Sequence, residues 1–145
     1  MARSFSKAWG AAGVRVGYLA GHPQLLEAIH KNRAMYELGT LSAEIIYLLL
    51  DMEKDVFDSV HRLQAGRDYF KAELHKMGYT VTESHGNFMH VDFKTDEEKI
   101  ANVLKETVLY RTEFGDANCL KGFSRFSLGT QEQFEKIIKK IRSIK

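Results

Sequence analysis

Hydrophobic residues in the first half of the chain repeat with the spacing of helices. Residues 23–30 begin with Pro23, which the first turn of a helix tolerates, and continue with helical periodicity as "QLLEAIH". The run "LSAEIIYLLL", residues 41–50, is apolar nearly all round and predicts a buried helix. Residues 52–77 form a long amphipathic pattern, which Gly78 ends in the manner of a C-terminal cap.

The second half of the chain introduces the alternation that is typical of strands. Short, β-branched "YTVTE" and alternating "NFMHVDF" predict two strands, the second of them half-buried. "VLYRTEF" and "FSRFSLG" predict two more, joined by the loop "GDANCLKG" at residues 115–122. Capping boxes at residues 95–98 (TDEE) and 130–133 (TQEQ) open helices. The last helix has an apolar stripe made of Phe134, Ile137, Ile138 and Ile141. Helices followed by strands interleaved with helices predict an α+β fold.

The composition is that of an ordinary globular protein and argues against several classes of function. Hydrophobic residues make up 44% and charged residues 28% of the 145 residues, enough for one domain with a modest core. The longest apolar run, residues 45–50, is far shorter than the roughly 20 residues that span a bilayer, and the N-terminus has no signal-peptide pattern, so we expect no membrane partner. The net charge is +2 with dispersed basic residues, so we expect no nucleic-acid partner.

Cysteine and histidine usage points to a cytoplasmic protein without a metal. The single cysteine, Cys119, excludes an internal disulfide and fits a reducing compartment. The six histidines show no metal-ligand spacing and are expected on the surface or in helices.

Candidate chemistry is concentrated in the opening stretch "RSFSKAWGAAGVRVGY". A lysine forms a Schiff base only where its amine can lose its proton, and Lys7 is the lysine of this stretch. The small residues after it let the backbone approach a ligand closely. Ser4 and Ser6 offer hydroxyls, and Arg15 offers a planar fork that suits phosphate. Together these groups suit a phosphorylated aldehyde cofactor, and the alternative is a surface lysine beside a turn.

The longer stretch "RSFSKAWGAAGVRVGYLAGHP" resembles the pyridoxal-phosphate lysine segment of fold-type I aminotransferases, in particular the histidinol-phosphate aminotransferase-like branch of the class I/II family. The resemblance implies pyridoxal 5'-phosphate as cofactor and Lys7 as Schiff-base lysine and general base. It also implies that Ser4, Ser6 and Arg15 bind the cofactor phosphate. The implied reaction transfers an amino group from an amino acid to a keto or aldehyde acceptor, so the expected partner is a small-molecule substrate.

The resemblance continues to the end of the chain. "RAMYELGTLSAEI" is similar to the stretch ahead of the family's interdomain helix, with Ala34 where proline is common. "HGNFMHVDF" resembles the family's Asn-Phe strand and implies that Asn87 lies near the substrate. "FSRFSLGT" resembles the strand whose arginine grips a substrate carboxylate or phosphate, which implies that role for Arg125. "VLYRTEF" resembles the strand whose arginine assists it in the histidinol-phosphate branch, which implies that role for Arg111. Taken singly, Arg111 could be an exposed strand residue and Asn87 could simply satisfy the start of a strand.

The resemblance also implies a division of the chain. Residues 1–30 would be the tail of the large α/β cofactor-binding domain, residues 31–51 the interdomain helix, and residues 52–145 the C-terminal small domain with a short, mostly antiparallel sheet. Family members are much longer, and the aspartate, aromatic ring and backbone cradle that complete their cofactor site would belong to a missing part. We therefore expect a truncated chain that is inactive alone.

The same resemblance places "VRVGYLAG" in a parallel sheet whose other strands are absent, so its unpaired edge predicts a homodimer or a swap of the N-terminal segment. Two alternatives to a truncated aminotransferase stay open. One is a non-catalytic, stand-alone small domain or interaction remnant. The other is a half-enzyme that needs a separate N-terminal chain.

Overall fold

The computed structural model describes residues 1–114 and 118–144. Part of the predicted loop at residues 115–122, namely residues 115–117, lies outside the described residues, and so does Lys145.

The chain divides into two compact units, residues 1–60 and residues 61–145. The boundary between them falls inside a long helix, α3 (Glu53–Lys76). The division that we expect from the family resemblance, with boundaries after residues 30 and 51, remains a prediction.

The first unit begins with a two-stranded hairpin. Its elements are β1 (Ala2–Ser4), β2 (Gly17–Leu19), α1 (Pro23–His30), α2 (Thr40–Leu50) and the first turns of α3. Pro23 stands in the first turn of α1, as predicted. The expectation of a parallel sheet around "VRVGYLAG" is wrong for the described strands, because β2 pairs with β1 in antiparallel register and one of its edges is therefore occupied. The physical reason is local: backbone bonds from Phe5 N to Val16 O (3.1 Å) and from Ala11 N to Phe5 O (3.0 Å) fold the chain back on itself.

Helix α2 forms over the predicted residues but is not buried as expected. Of its side chains only Ile46 is buried, whereas Leu41, Tyr47 and Leu48 are 74%, 68% and 69% exposed. The hydrophobic cluster that Ile46 joins contains only two further buried residues, and a cluster of that size covers one side of a helix at most.

The second unit contains a three-stranded sheet with helices. Its elements are the remainder of α3, β3 (Thr80–Val81), β4 (Phe88–Asp92), α4 (Glu97–Leu104), β5 (Phe123–Ser127) and α5 (Gln131–Arg142). The strand order is β3-β4-β5, and both neighbouring pairs are antiparallel. This mixture of helices and a small antiparallel sheet confirms the α+β class. Gly78 has a φ of +83°, which explains why α3 ends at a glycine.

The alternation along β4 and β5 separates an inner face from an outer face. On the inner face Met89, Val91 and Phe126 are buried in one hydrophobic core, while Phe88 and His90 on the outer face are half-buried. The predicted stripe of the last helix joins the same core, which includes Phe134, Ile137, Ile138 and Ile141. The side chains of the outer face therefore lie outside this hydrophobic core.

Two predicted features of the second half are wrong. Residues 108–114 do not form a strand, and only Arg111 makes a β-bridge, which pairs it with Arg125. The capping box at residues 95–98 is also absent, because α4 starts at Glu97 and its N-cap residue makes no side-chain cap bond. Instead, the carboxylate of Asp92 accepts a bond from the backbone N–H of Lys94 at 2.8 Å and forms the turn before α4. The second box, residues 130–133, is confirmed.

Within the described ranges, no helix combines the length and the apolar character that crossing a membrane requires. Nor do these residues contain a group of three or more His, Cys, Asp or Glu side chains placed to hold a metal ion.

Candidate functional site

Lys7 lies in the exposed loop that connects the two strands of the N-terminal hairpin. Phe5, just before it, is buried and its ring contacts that of Trp9 with centroids 5.5 Å apart. The carbonyl of Lys7 accepts a bond from Gly10 N at 2.9 Å, which closes a turn around the lysine. Gly10 adopts a φ of +67°, a conformation that favours glycine. The loop is thus fixed by its buried ends and turn, and it presents the Lys7 side chain to solvent.

The predicted phosphate ligands lie at the same end of the hairpin. The hydroxyl of Ser4 accepts a bond from Ser6 N at 3.0 Å. Arg15 adopts a left-handed backbone conformation with φ 59°, and its guanidinium donates to Ala12 O at 3.0 Å. No salt bridge joins Lys7 or Arg15 to an acidic group within residues 1–114 and 118–144.

The hairpin depends on a close approach at its end. A Cβ on Gly17 would lie 2.6 Å from the carbonyl oxygen of Arg3, closer than a real Cβ can come. Glycine at this position therefore lets β1 and β2 pair up to Ser4, which lies opposite Gly17, two residues after Arg15.

These donors fit the chemistry of a phosphorylated aldehyde. Two hydroxyls and a guanidinium can bind phosphate oxygens, and an accessible amine can bond to an aldehyde. The space around Gly10 and Gly13 is open, since a Cβ added at either glycine would have no heavy atom within 4 Å beyond its chain neighbours. The residues of this hairpin end are therefore compatible with pyridoxal phosphate.

A cleft of about 770 Å³ lies beside the hairpin, and Lys7 is not among the residues that line it. Arg15 contributes to its wall together with Tyr18, Leu26 and Ile29, whereas Ser4, Ser6 and Lys7 do not. Cleft size alone would have led to a different site from the one that the side-chain chemistry indicates.

In the second unit, the structure brings Arg111 and Arg125 together. Arg125 N donates to Arg111 O at 2.7 Å, and Arg111 N donates to Arg125 O at 3.1 Å. Residues that exchange both backbone bonds are directly opposite each other, and their side chains leave the same face. The predicted strand is missing, but this one bridge is sufficient to place the two arginines side by side.

The Arg125 side chain lies against an aromatic ring on the outer face of the sheet. Its guanidinium carbon is 4.2 Å from the centroid of the Phe88 ring, a cation–π geometry. Within the described residues, neither Arg125 nor Arg111 forms a salt bridge. Two neighbouring guanidinium groups without a carboxylate partner are suited to binding an anion.

His90 is a candidate residue that the sequence reasoning missed. It pairs with Arg125 across β4 and β5, and its ring centroid is 5.7 Å from that of Phe114. Burial, and then the positive charge of Arg125, lower the pKa of His90 below its ordinary value. The alternation of "NFMHVDF" already places His90 on the face of Phe88, but its pairing partner requires the register of the sheet.

Asn87 is not shown in contact with the arginine pair. It is exposed in the bend before β4, and its backbone carbonyl accepts a bond from Leu128 N at 3.0 Å. Its predicted substrate contact remains a prediction.

Comparison with known proteins places this chain in a family. A family model described as aminotransferase class I and II matches residues 1–141. The chain belongs to this family. It is 34% identical to the histidinol-phosphate aminotransferase of Streptomyces avermitilis over 100% of the chain and 38% of the relative. It is also 34% identical to the histidinol-phosphate aminotransferase of Geotalea daltonii over 94% of the chain and 39% of the relative.

Solved aminotransferase structures share the fold. The histidinol-phosphate aminotransferase of Clostridium acetobutylicum superposes with a TM-score of 0.79 at 19% identity, over 99% of this chain and 44% of that one. The enzyme of the same name from Sinorhizobium meliloti, in complex with pyridoxal-5'-phosphate, has a TM-score of 0.72 at 21% identity, over 99% of this chain and 41% of that one. The chain thus spans about two fifths of the length of the relatives that it matches.

Membership of the family settles the type of cofactor. Class I and II aminotransferases are pyridoxal-phosphate enzymes, and the donors at the hairpin end are of the kind that this cofactor needs.

Proposed function

We propose that this chain supplies the cofactor lysine and the C-terminal small domain of an aminotransferase that acts on a phosphate- or carboxylate-bearing substrate. The amino group would pass between an amino acid and a keto or aldehyde acceptor. The observation that carries the proposal is the grouping of Ser4, Ser6, Lys7 and Arg15 at one hairpin end in a chain of this family. The names of the relatives favour an acceptor related to histidinol phosphate.

Lys7 has two roles in this proposal. Its Nζ would hold the cofactor covalently, and the same amine would move the proton at the substrate Cα. Pyridoxal phosphate supplies the aldehyde and the electron-accepting ring that make this proton removable. The exposed position of Lys7 in a loop with fixed ends leaves its amine accessible for both roles.

The remaining residues bind and orient. Ser4, Ser6 and Arg15 hold the cofactor phosphate through hydroxyl and guanidinium donors. Arg125 and Arg111 hold the anionic end of the substrate, for which their adjacent placement and lack of a described acidic partner are favourable. The ring of Phe88 supports the Arg125 guanidinium and limits the orientations that it can adopt.

The 145 residues by themselves are not expected to turn over substrate. By the family resemblance, the acidic residue that pairs with the cofactor ring nitrogen and the aromatic ring that stacks on it lie outside these residues. The chain spans only about two fifths of its relatives, and the proposal assigns these groups to a further part of the enzyme.

Reductive trapping tests the role of Lys7 without relying on activity. The 145-residue chain and a longer polypeptide with the complete large domain are each incubated with pyridoxal phosphate, reduced with borohydride and mapped by mass spectrometry. We expect stoichiometric labelling of Lys7 in the longer polypeptide, weak labelling in the 145-residue chain, and loss of that label in Lys7→Arg. Lys31→Arg, at an exposed lysine of the same unit, is the matched control. Labelling spread evenly over surface lysines in both polypeptides would contradict the assignment.

A further inference from the structure

His90, Arg125 and Arg111 form a row across the sheet of the second unit. His90 lies directly opposite Arg125, which in turn exchanges two backbone hydrogen bonds with Arg111. Paired residues of adjacent strands project to the same face, and such strands are about 4.8 Å apart. Arg125 is therefore flanked on one side by a second guanidinium and on the other by an imidazole.

Aromatic rings line this row. Phe88 lies 4.2 Å from the Arg125 guanidinium carbon, and the Phe114 ring centroid is 5.7 Å from that of His90. His90 and Arg125 are both half-buried, so part of their water is already displaced. Charged hydrogen bonds gain strength in such surroundings.

Arg125 is the charged group that acts on the pKa of His90. The carboxylate of Asp92, on the same face two positions along β4, accepts a bond from the backbone N–H of Lys94. Arg125 faces His90 from β5, and Arg111 lies on the far side of Arg125. On the other side of β4, the hydroxyl of Thr82, which does not titrate in this range, donates to the backbone carbonyl of His90. Burial and the charge of Arg125 lower the pKa of His90, which favours the neutral imidazole in the absence of an anion.

We propose that His90 is a third ligand for the anion that Arg125 and Arg111 hold, and that it takes up a proton when a dianion binds. The proposal rests on the proposed function in that the anion is the phosphate-like end of the substrate. A dianion beside His90 opposes the charge of Arg125 and favours the imidazolium, which then donates a charge-assisted hydrogen bond. Because binding takes up a proton, anion affinity must fall as the pH rises.

Sulfate is the probe of choice, because it stays a dianion across the pH range in which histidine titrates. NMR titration of the full 145-residue chain follows the His90 ring and the sulfate affinity between about pH 5.5 and pH 8. We expect the pKa of His90 to rise when sulfate saturates the chain, and the affinity to fall about tenfold across this range. An affinity that is independent of pH, or no sulfate binding to the wild-type chain, would overturn the proposal.

Three variants separate a ligand from a structural residue. His90→Gln should lose the pH dependence and bind at all pH values about as weakly as the wild type does at pH 8. His90→Lys, which stays charged, should bind sulfate tightly at both ends of the range. His85→Gln, at an exposed histidine ahead of the same strand, is the matched control and should behave as the wild type. A His90→Gln variant with wild-type affinity throughout would show that His90 is not a ligand.

Arg125→Ala distinguishes failure of this inference from failure of the proposed function. Loss of sulfate binding in Arg125→Ala together with unchanged binding in His90→Gln would reject the role of His90 and leave the arginine site intact. Unchanged binding in both variants would place sulfate elsewhere, which counts against the row as the anion site, while the role of Lys7 would still be decided by reductive trapping.

Discussion

At the scale of single residues, two positions in the second unit make the stability of the protein sensitive to substitution. Gly66 in α3 is buried where the turn before α5 crosses it, and a Cβ there would lie 2.1 Å from Gly129 O. Tyr79 is buried beside the core, and its hydroxyl donates to the carboxylate of Asp96 at 2.9 Å. The first position depends on the absence of a side chain, and the second on keeping a buried hydroxyl protonated.

Gly66→Ala should destabilise the protein despite the better helix propensity of alanine. Alanine favours the helix by about 1 kcal/mol, but overpacking against the Gly129 backbone costs about 1–3 kcal/mol, and backbone cannot move aside as a flexible side chain can. Urea unfolding checks this prediction, with Gly86→Ala as control because the nearest atom to a Cβ there, Ser84 Oγ, is 3.6 Å away. A Gly66→Ala variant as stable as the wild type would mean that the two segments are not in contact.

Tyr79 should make stability fall at high pH. Burial, and then the hydrogen bond to Asp96, raise the pKa of Tyr79 from 10.0 to about 12. Below pH 10 the phenol is protonated in the folded and the unfolded state, so Tyr79 makes its full contribution to the free energy of unfolding. Between pH 10 and pH 12 only the unfolded state releases the proton, and that contribution is lost. Unfolding curves across this range should show a weaker pH dependence in Tyr79→Phe than in the wild type. Tyr47→Phe, at a tyrosine that is 68% exposed, should not change it.

At the scale of elements, helix α5 is held at its start by a cap and near its end by an ion pair. Thr130 N donates to Gln133 Oε1 at 2.9 Å, while Thr130 Oγ1 accepts from Gln133 N. Near the other end, Arg142 binds the buried carboxylate of Glu73 in α3, which also accepts from Lys76 at 2.7 Å. The bond to Lys76 is the largest influence that lowers the pKa of Glu73.

Removal of the cap should have a measurable cost. We expect Thr130→Ala to lower the free energy of unfolding by about 1 kcal/mol, because the helix loses the hydroxyl that satisfies its first turn, and Thr130→Ser to restore most of it. Thr95→Ala is the matched control, since Thr95 opens the other sequence box but caps no helix, and it should change stability by less than about 0.5 kcal/mol. Equal losses in the two alanine variants would contradict the difference between the boxes.

At the scale of the whole molecule, apolar surface on the first unit is the feature that most favours a partner. Leu41, Tyr47 and Leu48 on α2 are all more than two thirds exposed. Contiguous exposed apolar patches are unusual on monomers. A second copy of the chain that packs on α2 is one way to cover this surface.

We expect the chain to associate at micromolar concentration. Light scattering should give a mass above the 16.6 kDa of one chain, and the double variant Leu41→Gln, Leu48→Gln should move the mass towards that value. Leu109→Gln, at a leucine that is 96% exposed in the second unit, is the control for a general effect of removing surface leucine. A monomeric wild-type chain with an ordered first 30 residues would contradict the prediction.

Local chemistry determined much of this protein. The spacing of α5, the alternation of β4 and the glycine after α3 each depend on neighbours within a few residues, so the sequence predicts them correctly. The lysine, serines and arginine of the opening stretch are close along the chain, and the hairpin places Ser4 opposite Gly17, two residues after Arg15.

Tertiary structure alone decided the features that depend on distant partners. Residues 108–114 have strand-like composition, yet only Arg111 finds a partner, because strand formation requires backbone groups on a neighbour and not only a suitable pattern. Helix α2 is apolar, but whether its side chains are buried depends on which other parts of the structure pack against them. His90 meets Arg125 through the register of two strands with thirty residues between them, and no local pattern specifies that register.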